Sequence, residues 1–157
     1  MSAQSLDYRA KTKDLVNELQ LQADIENAWD CKLHHLPHLY HVDFYAERAD
    51  DLVAWVEVKQ RSCTSTQYPT VFMNTGKKFR HLNALSNTAP AIFVVRWADG
   101  VTKYIDVTNV HPDWLGTGGE SNRWGQGRHD YEPVFEIPIS VMKPLLVKLP
   151  EERENNE

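Results

Sequence analysis

The stretch "LYHVDFYAERADDLVAWVEVK", residues 39–59, decides how this chain is read. Its two halves, "LYHVDFYAE" and "LVAWVEVK", are rich in β-branched and aromatic residues with period-two alternation. The "RADD" between them is a polar turn, so the sequence predicts a β-hairpin. Side chains alternate across a strand. Val53, Trp55, Glu57 and Lys59 are therefore expected on one face and Ala54, Val56 and Val58 on the other. Asp43 and Tyr45 oppose Val42 and Phe44 in the same way. A five-residue loop centred on Asp50 would pair 45 with 55 and 43 with 57, setting Asp43 directly across from Glu57.

Two carboxylates facing each other across a strand pair, with Cβ atoms ~4.5–5.5 Å apart, repel. Ionised groups on a half-buried strand are also costly unless paired or bound to metal. Something cationic is therefore expected between them. Lys59 is one candidate, and a hard divalent ion with oxygen ligands is the other. The two are compatible. An ion can take Asp43, Glu57 and the Val58 carbonyl, leaving the Lys59 ammonium to orient or activate a water and to stabilise charge developing on a phosphate. The plain alternative is a surface hairpin with an ordinary Glu/Lys ladder, worth only ~0.2–1 kcal/mol.

Asp43 followed, after 13 residues, by Glu57-Val58-Lys59 resembles the PD-(D/E)xK signature of restriction-endonuclease-like nucleases. Val42 stands where the family's name implies Pro. The resemblance covers roughly residues 6–97 and implies an α/β (α+β) fold with a mixed central sheet flanked by helices. The implied order is αβββαβ, followed by C-terminal strands and a short helix. It further implies that Asp43 and Glu57 bind Mg²⁺ or Mn²⁺ and that Lys59 assists the attacking water. A Glu on the first helix reaches the metal in many members; Glu18 is the choice here and Glu26 the rival. Gln60 and Arg61 resemble the ExKxR variant found among phage-type and recombination nucleases.

The rest of the chain supplies matching elements. Residues 6–29, with Leu15, Val16, Leu19, Ala23 and Trp29 at helical intervals and no Pro or Gly, predict an amphipathic helix. "CKLHHLPH" reads as a short edge strand limited by Pro37. Residues 70–86, with Phe79, Leu82 and Leu85 at helical spacing, predict a second helix that ends before "SNTAP". Lys77, Lys78 and Arg80 sit at its front. If Leu82 and Leu85 face the core, Lys78, four before Leu82, lies at that face's edge, either pointing into the site or on a solvated helix face; the resemblance favours the site, since this helix of related nucleases often supplies a Lys or Gln there. "AIFVVRW" reads as a buried strand, turned by "ADG" into "VTKYIDV". A short strand "VFEIP" and a last helix "ISVMKPLL" complete residues 1–150, read as a single domain.

Bulk properties narrow the class. A chain of 157 residues suits one core. Its 41% hydrophobic and 25% charged content is ordinary for a globular protein. With no apolar run of ~18 residues and no apolar leader at the start, the expected location is the cytoplasm. Two cysteines, Cys31 and Cys63, cannot build a disulfide framework or a four-cysteine metal site. The net charge of −5 argues against a nucleic-acid partner until it is located. Residues 151–157, "EERENNE", hold four Glu against one Arg, an acidic tail expected to be frayed. Basic residues meanwhile gather at Lys59, Arg61, Lys77, Lys78 and Arg80 and can hold a phosphate backbone if they share a face.

Two further features carry chemistry. Four of the seven histidines, His34, His35, His38 and His41, fall in "HHLPHLYH". Their spacing allows zinc, contact with nucleic acid, or a simple polar strand. Residues 116–127, "GTGGESNRWGQG", hold five of the seven glycines without the spacing of a nucleotide-binding loop. With Arg123, Trp124 and Arg128, this loop is suited to clamping a strand, and equally to a protomer contact. Taken together, the sequence predicts a divalent-metal-dependent DNA nuclease, structure-selective or of the recombination and repair type. Dimerisation would be natural, since one active site cuts one strand. The alternative is a nuclease fold that binds DNA, or serves as a phage structural component, without cutting.

Overall fold

A computed structural model describes residues 3–116, 120–121, 130–131 and 133–149, with side chains for 13–116 and 133–149. The chain opens with α1 (Ala3–Trp29), which ends as Asp30 turns into the left-handed region at φ 49°. The Cys31 N–H then donates to the Glu26 carbonyl at 3.2 Å, the six-to-one bond that closes a helix C-terminus. Strands β1 (Lys32–His35), β2 (Phe44–Arg48) and β3 (Asp51–Gln60) follow as an antiparallel run. After β4 (Thr70–Asn74) come a π turn over Thr75–Phe79 and α2 (Arg80–Leu85). Next are β5 (Ala91–Arg96) and β6 (Thr102–Asp106). The short β7 (Leu115–Gly116), β8 (Glu120–Ser121) and β9 (Asp130–Tyr131) lead to β10 (Val134–Pro138) and β11 (Lys143–Pro144).

Six strands form one mixed sheet in the order β1-β2-β3-β5-β6-β11. Only β3 and β5 run parallel in it, and parallel neighbours require a crossover. Here the crossover carries β4 and α2, which places them over one face. From Ala91 to Val95 every residue of β5 is buried, as expected of a strand covered on both sides. Ala91, Phe93 and Val95 point into a core with Leu82 of α2, Val71 and Met73 of β4 and Ile137 of β10. Ile92 and Val94 point the other way, into a core with Leu21 and Ile25 of α1 and Val56 of β3. The layers are therefore α1, the six-stranded sheet, and a second small sheet, β4-β10-β7, beside α2. This is the mixed α/β architecture that the family resemblance implied. Among the described residues, no helix is long and apolar enough to cross a membrane.

Five local expectations are corrected. The hairpin closes through a two-residue turn, Ala49–Asp50, both at positive φ (51° and 65°), instead of a five-residue loop. A bulge between Ala46 and Glu47 leaves Val53 as the extra residue and restores the pairing of Tyr45 with Trp55. Val53 consequently packs with Ala54, Val56 and Val58 on the α1 side, away from Trp55 and Glu57. Residues 70–74 are a strand, because Val71 and Met73 alternate inward; the helical turns start only after Asn74, whose side chain caps the Lys77 N–H at 2.8 Å. "ISVMKPLL" forms one 3₁₀ turn and the edge strand β11, since Pro144 cannot continue a helix. Finally, α1 buries Leu21 and Ile25, while Leu15, Val16 and Leu19 stay more than half exposed, because only the last turns of the helix lie on the sheet.

Candidate active site

Glu57 lies on β3, between β2 and β5, and is only 3% exposed. A carboxylate so placed on a central strand needs partners. It points to the side of the sheet that carries α2 and the small sheet, as its alternation with Val56 and Val58 requires. Asp43 sits just before β2. A 3₁₀ turn at His38–Tyr40 precedes it, and His41, at φ 56°, redirects the chain. Val42 is buried beside Val71 and Met73 and anchors this entry.

The two acids are fixed by a reciprocal exchange. The Asp43 N–H donates to Glu57 Oε2 at 3.1 Å, and the Val58 N–H donates to Asp43 Oδ2 at 2.9 Å. The Asp43 carboxylate thus occupies the Val58 N–H where the ladder to β2 stops, and both acids meet at one point. Burial, with the Asp43 charge second, raises the Glu57 carboxyl from its ordinary 4.5 to about 7. An ion pair from Lys78 to Glu57 Oε1 and the Asp43 N–H pull in the opposite direction. Lys78 arrives from the π turn ahead of α2, a helical irregularity often found at functional sites.

Lys59, two residues beyond Glu57 on the same face, donates from Nζ to the Phe72 carbonyl of β4 at 2.9 Å. Burial lowers its ammonium pKa, and Arg61 and Lys78 add to the effect. Asp43, Glu57, Lys59, Lys77, Lys78 and Asn74 line a cavity of about 370 Å³. The structure therefore brings Asp43, Glu57, Val58, Lys59 and Lys78 together. Phe72 and Asn74 escaped the sequence reading because residues 70–74 were assigned to a helix there.

The first-helix glutamates stand elsewhere. α1 covers the opposite face of the sheet, and Glu26 accepts the Leu33 N–H at 2.9 Å, holding β1 to the helix. Glu18 is partly buried on α1 and is not among the residues lining the cavity. Gln60 and Arg61 border a separate open groove of about 690 Å³ with Lys13 and Asn17 of α1. That groove is larger than the Asp43–Glu57 cavity, and Asp14 is the one acid among its described lining residues. Residues 117–119, 122–129 and 150–157, and with them most of the glycine-rich loop and the acidic tail, lie outside the described residues.

Three of the four clustered histidines have separate ring partners. His34 contacts Glu47 at 2.9 Å and stacks on Tyr45, His35 packs on Phe44, and His41 stacks on His81 of α2. Among the described residues, no three His, Cys, Asp or Glu side chains are grouped to hold a metal. A zinc site at the histidines has no support in this arrangement. Two carboxylates with a nearby carbonyl instead match the donor set of a hard cation that completes its shell with water and substrate phosphate.

Comparisons with known proteins agree with this geometry. The family described as "Phage putative PDDEXK endonuclease" matches residues 6–145. Among solved structures, the chain is similar to Hjc of Archaeoglobus fulgidus, a Holliday junction resolvase. The TM-score is 0.52 at 11% identity, over 82% of this chain and 88% of that one, a likeness of fold. No curated protein matches. With that match spanning nearly the whole chain and the paired acids and lysine converging in one cavity, the chain belongs to the phage PD-(D/E)xK endonuclease family.

Proposed function

We propose that this protein is a divalent-metal-dependent DNA endonuclease whose chemistry resides in the Asp43–Glu57–Lys59 cavity, acting as one unit over residues 1–150. The observation that carries the reading is the convergence of two carboxylates with three lysine side chains in one cavity. The residues fit Mg²⁺ or Mn²⁺. Glu57 is buried, its proton affinity is raised by Asp43, and it already draws in a cation. Asp43, Glu57 and the Val58 carbonyl would hold the ion. When bound, the ion supplies positive charge that acidifies a water and neutralises charge developing on the phosphate.

The chain's own groups do the rest. Lys59, held by the Phe72 carbonyl, lines the same cavity as the acids and carries a proton affinity lowered by burial. It is suited to positioning the attacking water and taking up or returning its proton. Lys78 neutralises Glu57 in the metal-free protein. It becomes free to steady the scissile phosphate once another cation replaces it. Lys77 lines the same cavity and extends the basic margin along which a DNA backbone would run. Junction or other branched DNA is the proposed substrate class, and a homodimer would cut two strands. The expected setting is the host cytoplasm.

Incubation with linear, circular, single-stranded and four-way DNA, each with Mg²⁺, Mn²⁺ or EDTA, tests the reading. Cleavage that requires the metal supports it. DNA binding with no cleavage under any condition supports instead a nuclease fold used only for binding.

A further inference from the structure

The catalytic cavity continues past Asp43 and Lys78. Both residues also border a second open groove of about 480 Å³, whose other walls include His35, His38 and His41. His41 stacks on His81 of α2, with ring centroids 4.4 Å apart and planes 21° from parallel. Between the lining residues His38 and His41 the chain makes the turn His38–Tyr40, in which Leu39 is 88% and Tyr40 54% exposed. Adjacent in the chain, these two residues give the turn an exposed, largely apolar tip.

The loop is nonetheless built firmly. The Leu36 N–H donates to the Asp43 carbonyl at 2.9 Å and closes its base. The Tyr40 N–H reaches the Pro37 carbonyl at 3.0 Å, and buried Val42 pins the outgoing chain. Its base is therefore the candidate metal ligand Asp43 itself, and its tip is held at a set distance from the site.

We infer that this groove receives a nucleotide adjoining the scissile phosphate, and that Leu39 and Tyr40 hold the base of an unpaired nucleotide there. The inference rests on the nuclease reading and deepens it by naming the substrate class: DNA with unpaired bases beside the cut, as in a flap or branch. In an intact duplex each base is stacked inside the helix. Planar rings and an apolar tip beside the backbone channel offer stacking only to a base that has left it. The ring stack and the tip read no base edge, so the preference is for structure, with any sequence tolerated.

Leu39→Ser/Tyr40→Ser, both at exposed positions, tests this in EDTA, where binding is measured without cleavage. Two probes are used: a DNA flap carrying 2-aminopurine at its first unpaired nucleotide, and a blunt duplex of the same sequence. The wild type is expected to prefer the flap about tenfold and to quench the probe. The variant should lose preference and quenching, with unchanged Tm and a duplex affinity within about twofold. Equal binding of flap and duplex by the wild type, or full preference and quenching in the variant, overturns the inference. Flap cleavage with Mg²⁺ in the same preparations reports separately on the nuclease reading. If both proteins cut and neither discriminates, only the base-holding role falls; a wild type that neither cuts nor binds DNA ends both.

Discussion

Replacing Glu57 by Gln should make the metal-free protein more stable, although it removes an ion pair. Glu57 is buried at 3% exposure, and its carboxyl is raised from 4.5 to about 7 in the folded chain. Because the folded-state value lies above the unfolded one, the folded protein holds the proton more tightly. The resulting contribution is favourable at acid pH and is lost as pH rises from about 4.5 through 7. At about 1.36 kcal/mol per pH unit, ionised Glu57 costs about 3 kcal/mol at pH 8 and about 1 kcal/mol at pH 5.

Gln keeps an acceptor for the Asp43 N–H and carries no charge. Lys78, whose side chain is 42% exposed, rehydrates with little penalty. Allowing for the lost pair, Glu57→Gln should gain about 2 kcal/mol at pH 8, or about 5 °C in Tm for a domain of this size. Thermal denaturation in EDTA at pH 8 and pH 5 measures it, with a clearly smaller gain expected at pH 5. Added Mg²⁺ should then raise the wild type's Tm and leave the variant's unchanged, since only a site present in the folded state gains from ligand. A variant less stable than wild type at pH 8, or a gain independent of pH, would refute the reasoning.

Further expectations concern individual groups. Lys59→Ala should slow single-turnover DNA cleavage by about 10²–10⁴ while DNA affinity changes less than about threefold, as for loss of a proton-handling group. Lys78→Met should bind Mn²⁺ several-fold more tightly without DNA, because no ammonium then competes for Glu57, yet cleave about 10²-fold more slowly with the phosphate contact gone. Tighter ion binding with undiminished cleavage would remove Lys78 from the chemistry. On the opposite face, Ile25→Ala should lose about 2–5 kcal/mol in urea denaturation, since Ile25 is fully buried between α1 and the sheet. The equivalent change at exposed Leu19 should lie within about 0.5 kcal/mol of wild type.

Where the sequence pattern was local and strong, it was readable. The alternation through Trp55, Val56 and Glu57 sets the strand's faces; the pairing of 45 with 55, expected from a five-residue loop, holds because the bulge at Val53 offsets the tighter turn. The apolar run of β5 declared a strand covered on both sides. The turn was illegible because Ala49 and Asp50 are not the Asn-Gly or Asp-Gly pair that marks two positive φ values. The bulge at Val53 has no sequence mark at all. Phe79, Leu82 and Leu85 extend a helical period backward over Thr70–Asn74, so the sequence of β4 reads as helix. Only pairing with β10, more than 50 residues away in sequence, makes that segment a strand. Lys78 could be placed from its four-residue spacing to Leu82, whereas the position of Glu18 depends on where α1 crosses the sheet, which no local pattern encodes. Leu39 and Tyr40 looked like strand residues, and only the left-handed turn at His41 lifts them clear.

Titration with Mn²⁺, followed by electron paramagnetic resonance on the wild type, Asp43→Asn and Glu57→Gln, tests most directly whether these acids form a metal site. The account predicts saturable binding by the wild type that is lost in each variant while the fold is retained. Undiminished binding in either variant, or no saturable binding by the wild type at millimolar Mn²⁺, would contradict it.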